Sequence, residues 1–245
     1  MIPCSVCGKD SGWSKEVFES DIIGANPNIP KCDPCFDKAY AEHKLEQKNE
    51  RLNRVHENLL PIQDLIPANY LETEEYKLPK PAREQLAKVM AWTPESGKGL
   101  YLLGHPRQGK TRTLSLLLQR LYKEGKRFKV FWAGQFAREL AYKKALQSRE
   151  YQTWWAEVTN VPILAIDDLY AEKLTPTIQS GLFELIEARM GKKLPTLVTT
   201  QVKTDDAVKL FEDERRGQAL ARRLKETSVG ILFNQDINQA KLAEV

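Results

Sequence analysis

Eight residues constrain this chain more than any others. Gly104-His105-Pro106-Arg107-Gln108-Gly109-Lys110-Thr111 fits the pattern G-x-x-x-x-G-K-[ST] at every fixed position. An apolar run, Gly99-Leu100-Tyr101-Leu102-Leu103, precedes it and reads as a buried strand. Behind it, Leu114, Leu117, Leu118 and Leu121 recur at helical spacing. Strand, loop and helix are the setting in which this pattern cradles phosphate. Gly104 and Gly109 let the backbone curl so that successive N–H groups face phosphate oxygens. The helix N-terminus adds its positive dipole end. Lys110 supplies a point charge for β- and γ-phosphates, and Thr111 a hydroxyl ligand for Mg²⁺. His105, Pro106, Arg107 and Gln108 fill the variable positions, and Arg112 follows directly. The expected cofactors of this stretch are ATP and Mg²⁺.

A second apolar run, Pro162-Ile163-Leu164-Ala165-Ile166, ends in Asp167-Asp168. Continuous apolar residues suit a strand buried on both faces, and its carboxyl end opens on the ligand crevice of a parallel sheet. Asp167 is expected to hold Mg²⁺, through water, and Asp168 to polarise an attacking water. The plainer alternative is a carboxylate pair capping a following helix. A third run, Thr196-Leu197-Val198-Thr199-Thr200-Gln201, ends in polar side chains. In a P-loop ATPase such a strand lies between the other two, and the expectation is that Gln201 or Thr200 at its tip orients the nucleophilic water. Ordinary threonine-rich strand chemistry is the alternative. Lys129–Trp132 and Val229–Phe233 bring the strand count to five. Ile178, Leu182, Leu185 and Ile186 form one helical face, and Leu220 and Leu224 another. Alternating strands and helices predict an α/β fold: a five-stranded parallel sheet flanked by helices.

Arg215-Arg216 and Arg222-Arg223 lie on the helix before the last strand. In an ATPase that fires only when assembled, a neighbouring copy delivers a cation, and Arg222 is the candidate. A solvated basic face, or contact with nucleic-acid phosphates, is the alternative.

All four cysteines lie within the first 35 residues, as Cys4-x-x-Cys7 and Cys32-x-x-Cys35. Two such pairs complete a tetrahedral zinc shell with no open position, a structural site. The chain shows no charged-then-apolar leader and no apolar run long enough for a membrane span. A cytoplasmic setting, which disfavours disulfides, is the expectation. The net charge of +4 is too small to prove a nucleic-acid partner. From residue 36 to 58 the chain is charged and helix-forming, with Leu45, Leu52 and Leu59 a thin apolar seam. A solvated spacer and a partner-binding helix are both open. Pro61, Pro67, Pro79, Pro81 and Pro94 then mark a domain boundary. The expected division is a zinc-binding module at 1–38, a helical linker at 39–60 and an ATPase domain at 61–245.

These motifs, with Pro67-Ala68-Asn69-Tyr70 ahead and Ala221-Arg222-Arg223-Leu224 behind, resemble the AAA+ ATPases of the DnaC/DnaI helicase-loader and IstB transposition-helper group. The resemblance runs from about Pro61 to Asn234. It implies that Pro67–Tyr70 sits near the adenine and that Arg222 acts in trans. It implies an ATP-dependent loader that binds a replicative ring helicase and single-stranded DNA and self-assembles with nucleotide. The other branch implies a helper that binds duplex DNA and recruits a transposase. Only twelve residues follow Phe233, so no C-terminal helical lid is expected. The sequence departs from the group in having Gln201 where the sensor is often Asn. No arginine follows Arg223, so a second sensor arginine is either missing or replaced, with Lys241 the candidate. The four-cysteine module looks like a helicase-docking piece. Phe131, Trp132, Phe136, Arg138, Tyr142, Lys143 and Lys144 mix aromatics and cations near where the group touches DNA. Stacking with phosphate pairing and an ordinary core-and-surface arrangement are the two readings. Trp154 and Trp155 are expected in the core or at an interface.

Overall fold

The computed structural model describes residues 7–10, 34–35, 37–38, 41–47, 49, 60–132, 134–146, 149–171 and 174–233. The chain divides into two units, Met1–Leu59 and Leu60–Val245. In the first, residues 41–47 are helical and exposed. Cys4 and Cys32 lie outside the described residues, as do Lys241 and the twelve positions after Phe233.

The second unit is a three-layer α/β sandwich. Its strands are β1 (Gly99–Gly104), β2 (Phe128–Phe131), β3 (Ile163–Leu169), β4 (Thr196–Thr200) and β5 (Ser228–Phe233). They form one sheet in the order β2-β3-β4-β1-β5, with every pairing parallel. The threonine-rich strand thus lies between the phosphate-loop strand and the acidic strand, as the sequence predicts.

Period-two alternation sorts the side chains into two cores. Leu100, Leu102, Ile163, Ala165, Leu197 and Ile231 face one side. There they meet Leu86 and Val89 of α3 (Lys80–Met90) and Leu114, Leu117, Leu118 and Leu121 of α4 (Lys110–Lys123). Tyr101, Phe131, Leu164, Ile166 and Val198 face the other. Four helices cover that face: α5 (Gln135–Leu146), α6 (Arg149–Asn160), α7 (Pro176–Gly191) and α9 (Glu214–Thr227). Three short helices complete the unit: α1 (Ile62–Leu65), α2 (Ala68–Leu71) and α8 (Thr204–Ala207). Among the described residues no helix is long and apolar enough to cross a membrane.

One detail departs from the sequence reading, and one open alternative is decided. Pro81, read from the sequence as part of a boundary, sits in the first turn of α3, which begins at Lys80. Proline there loses only an N–H that has no helical partner, so it opens the helix and does not break it. Phe131 and Phe136 are 1% and 3% exposed and pack edge-to-face. They belong to the core and have no free face on which a base could stack.

Candidate functional site

The phosphate loop springs from the end of β1 and closes on α4. Gly109 has φ 87, and an added Cβ would lie 2.7 Å from Ala82 Cβ and 2.9 Å from Pro79 Cγ. Only glycine permits both that backbone and that approach to α3. A Cβ on Gly104 would meet Phe233 O at 2.4 Å. Within the loop, the His105 N–H donates to Gln108 Oε1 at 2.8 Å, and Gln108 is buried. Gln108 therefore braces the loop from within. His105, Pro106 and Arg107 form its exposed crest, and Arg112 is exposed one residue past Thr111.

Lys110 is 7% exposed and donates to the carbonyls of Gly104 and His105, both at 2.8 Å. Burial pushes its pKa down, while Asp168 and Asp167 push it back up. The two carbonyls position the ammonium, and the two nearby carboxylates favour its charged form.

The acidic pair sits on a local irregularity. The β3–β4 register shifts between Ile166 and Leu169, and Asp168 takes φ 53. Such a bulge turns side chains away from the regular pleat. β4 stitches it. Thr199 Oγ1 donates to Asp167 Oδ1 at 2.7 Å and accepts from the Asp168 N–H at 2.8 Å. Thr200 Oγ1 donates to Leu169 O at 2.8 Å and accepts from the Val202 N–H at 3.1 Å. Thr199 carries this junction, and the sequence reading gave it no role. Its one signal is a hydroxyl in a strand buried at all five positions, where a polar group must find a partner.

Asp167 is 5% exposed, and burial raises its pKa. Hydrogen bonds from Thr199 and Thr111 oppose that shift, Asp168 adds to it and Lys110 opposes it. A hydroxyl and a buried carboxylate in contact are hard oxygen donors of the kind magnesium takes. The residues present fit that ion. Gln201, exposed just past β4, donates from Nε2 to Asp168 Oδ1 at 3.3 Å. Phosphate loop, acidic pair and Gln201 therefore converge at the carboxyl end of the three central strands.

Tyr70 completes one side. It stacks on Trp132 with ring centroids 5.4 Å apart. Its carbonyl accepts from Ser115 Oγ of α4 at 2.9 Å. Burial raises its pKa, with Asp167 adding to the shift and Arg112 opposing it. Trp132 also donates from Nε1 to Leu65 O at 2.9 Å. The structure thus ties this tryptophan to the segment before the domain core, a use distinct from the stacking on DNA considered above.

The two late arginines differ. Arg223 lies over the Phe183 ring at 4.8 Å, donates to Ala219 O and pairs with Glu187. Arg222 is exposed, reaching Glu226 at 3.9 Å. It lines a shallow groove of about 420 Å³ with Asp205, Gln218 and Lys225. Of the cysteines, Cys7 and Cys35 are described, and among the described residues no cluster of three or more metal-ligating side chains occurs.

Comparison with known proteins agrees with this geometry. The replicative helicase loader DnaI of Bacillus subtilis (strain 168) is 25% identical over 226 residues, 88% of this chain and 69% of that protein. The crystal structure of DnaI matches with a TM-score of 0.59 at 22% identity, covering 69% of this chain and 95% of that one. The DnaC helicase loader matches at 0.56 and 24%, covering 68% and 99%. AMPPCP-bound DnaA from Aquifex aeolicus matches at 0.54 and 17%, covering 70% and 52%. At such identities the solved structures establish a shared α/β fold, a five-stranded parallel sheet flanked by helices. The model of one family, described as IstB-like ATP binding protein, matches residues 37–239. With its phosphate loop, stitched acidic pair and five-stranded parallel sheet, the chain belongs to the IstB-like ATP-binding proteins.

Proposed function

We propose that this protein is an ATPase that loads a ring-shaped replicative helicase onto single-stranded DNA. ATP binding drives its self-assembly, and hydrolysis releases it. The observation that carries the reading is the phosphate loop facing a carboxylate pair braced by β4, in a chain similar to DnaI over 88% of its length. Lys110 draws the β- and γ-phosphates, Thr111 and Asp167 hold magnesium, and Asp168 polarises the attacking water. Gln201 is better suited than Thr200 to orient that water, because the Thr200 hydroxyl is committed to Leu169 O. Arg222, exposed and outside the core, is the cation offered to a neighbouring copy. On α5, Tyr142 is exposed on the same helix as Arg138, Lys143 and Lys144, which suits stacking and phosphate pairing with a single strand.

ATP turnover measured with and without single-stranded DNA and a replicative helicase tests this. Both additions should stimulate the wild type. Arg222→Ala should bind ATP within about threefold of wild type yet lose about a thousandfold in stimulated turnover, the worth of a trans-acting arginine. Loss of binding in equal measure would count against the trans role. The family match itself favours a second reading, a transposition helper that binds duplex DNA and recruits a transposase. Stimulation by duplex DNA and a transposase in the same assay would select it.

Cys4, Cys7, Cys32 and Cys35 are proposed to close a structural zinc site that holds the N-terminal module for helicase docking. Metal analysis should return about one zinc per chain. A folded N-terminus free of zinc would remove the site.

A further inference from the structure

Arg107 is the one charged side chain at the crest of the phosphate loop, and its backbone stands at φ 62. That left-handed conformation is strained for a residue with a Cβ and free for glycine. Among the described residues the exposed Arg107 side chain meets no hydrogen-bond or ion-pair partner. Its neighbours are all employed: Gln108 braces the loop, Lys110 bonds Gly104 and His105, and Thr111 bonds Asp167. Glycine at position 107 would give the same loop without strain, so the fold does not account for an arginine here. Strain kept at a ligand-facing turn points to a use for the side chain.

We propose that Arg107 selects triphosphate over diphosphate, its guanidinium folding over the phosphate chain to donate to the γ-phosphate. The inference rests on the nucleotide-binding reading of the loop. Its chemistry follows from position. Backbone N–H groups of such a loop cradle the α- and β-phosphates, and Lys110 spans β and γ as a point charge. A terminal phosphate has three free oxygens, which a planar, forked donor matches and an ammonium does not. Arginine bears its charge at every working pH.

The test is calorimetric titration of the full chain with ATP, ADP and AMP, alongside thermal melting. Arg107→Gly should melt no lower than wild type, because the backbone relaxes. It should bind ATP about tenfold more weakly, the scale of one charge-assisted contact. ADP should weaken by no more than about threefold and AMP not at all. Arg107→Asn tolerates the left-handed backbone without charge and should behave like the glycine variant. Arg107→Lys should recover only part of the ATP preference. An unchanged ATP-to-ADP ratio in Arg107→Gly overturns the proposal while leaving the loop a nucleotide site. An equal loss for all three nucleotides also overturns it, because the side chain would then act on the loop and not on the γ-phosphate. Weakened single-stranded DNA binding with intact nucleotide affinities would assign the cation to DNA instead. Absence of nucleotide binding by the wild type would sink both this inference and the reading beneath it.

Discussion

Lys110→Ala is expected to weaken ATP binding by about 2–5 kcal/mol, roughly thirty-fold to several-thousand-fold, with little change in melting temperature. The size follows from where the ammonium sits. It is 7% exposed, and water cannot fully replace it against the β- and γ-phosphates. The small stability effect follows from its hydrogen bonds and its pKa. In the folded chain it donates to Gly104 O, a buried bond, and to His105 O, a part-buried one beside the exposed crest of the loop. Burial lowers its pKa, so the folded state disfavours the charged form. A lysine whose folded pKa lies below its unfolded value weakens the fold at neutral pH, and that penalty fades as pH rises through the folded pKa. Deleting the charge therefore removes a cost together with two hydrogen bonds. The checks are titration with ATP and thermal melting at pH 7. ATP binding within threefold of wild type would refute the assignment of the loop. A large fall in melting temperature would show that Lys110 is a structural residue first.

The parts of this site that were legible in the sequence are the ones written in consecutive residues. Gly104 to Thr111 specify their own turn, and Ile163 to Asp168 announce a buried strand ending in charge. The three central strands were legible too, because a strand buried on both faces is apolar along its length, whereas the edge strands β2 and β5 are only partly buried. Long-range register was not. Thr199 lies 31 residues from Asp168, and nothing local tells a ladder threonine from one that stitches a bulge. Aromatic residues were left undecided for a related reason. Phe131 and Phe136 share a stretch with Arg138, Lys143 and Lys144, which left a mixed surface and a core-and-surface arrangement both open. Strand and helix phase instead send the phenylalanines to the core beside Trp154, while Tyr142 stays exposed on α5. Trp132, one residue past β2, falls between these fates and stacks on Tyr70. Composition sees the cluster, and phase divides it.

The largest stability effect is expected at Arg189, which the sequence shows only as one more arginine on a helix. In the fold it is 1% exposed. Its guanidinium donates to Val158 O at 3.0 Å, Val161 O at 2.8 Å, Pro195 O at 2.7 Å and Thr196 Oγ1 at 3.0 Å. These acceptors belong to the end of α6, the turn into β3 and the start of β4, so one side chain joins three elements below the sheet. All four are neutral. Burial alone shifts its pKa, down to about 10, and it remains charged at pH 7. Part of the compensation comes from the end of α6, where Val158 O is one of the last carbonyls and lies at the negative end of the helix dipole. Arg189→Ala strands three carbonyls and leaves a cavity, at a cost of about 3–5 kcal/mol. For a domain of this size that lowers the melting temperature by about 6–20 °C. Arg189→Lys should restore less than half, since an ammonium presents its donors from one atom and cannot reach acceptors spread around a planar fork. ATP affinity should change little in whatever fraction remains folded, because Arg189 joins the amino ends of β3 and β4 and the nucleotide site lies at their carboxyl ends. Melting within 2 °C of wild type would contradict the account. Loss of ATP binding by a fully folded Arg189→Ala would show that the two ends of the sheet are coupled.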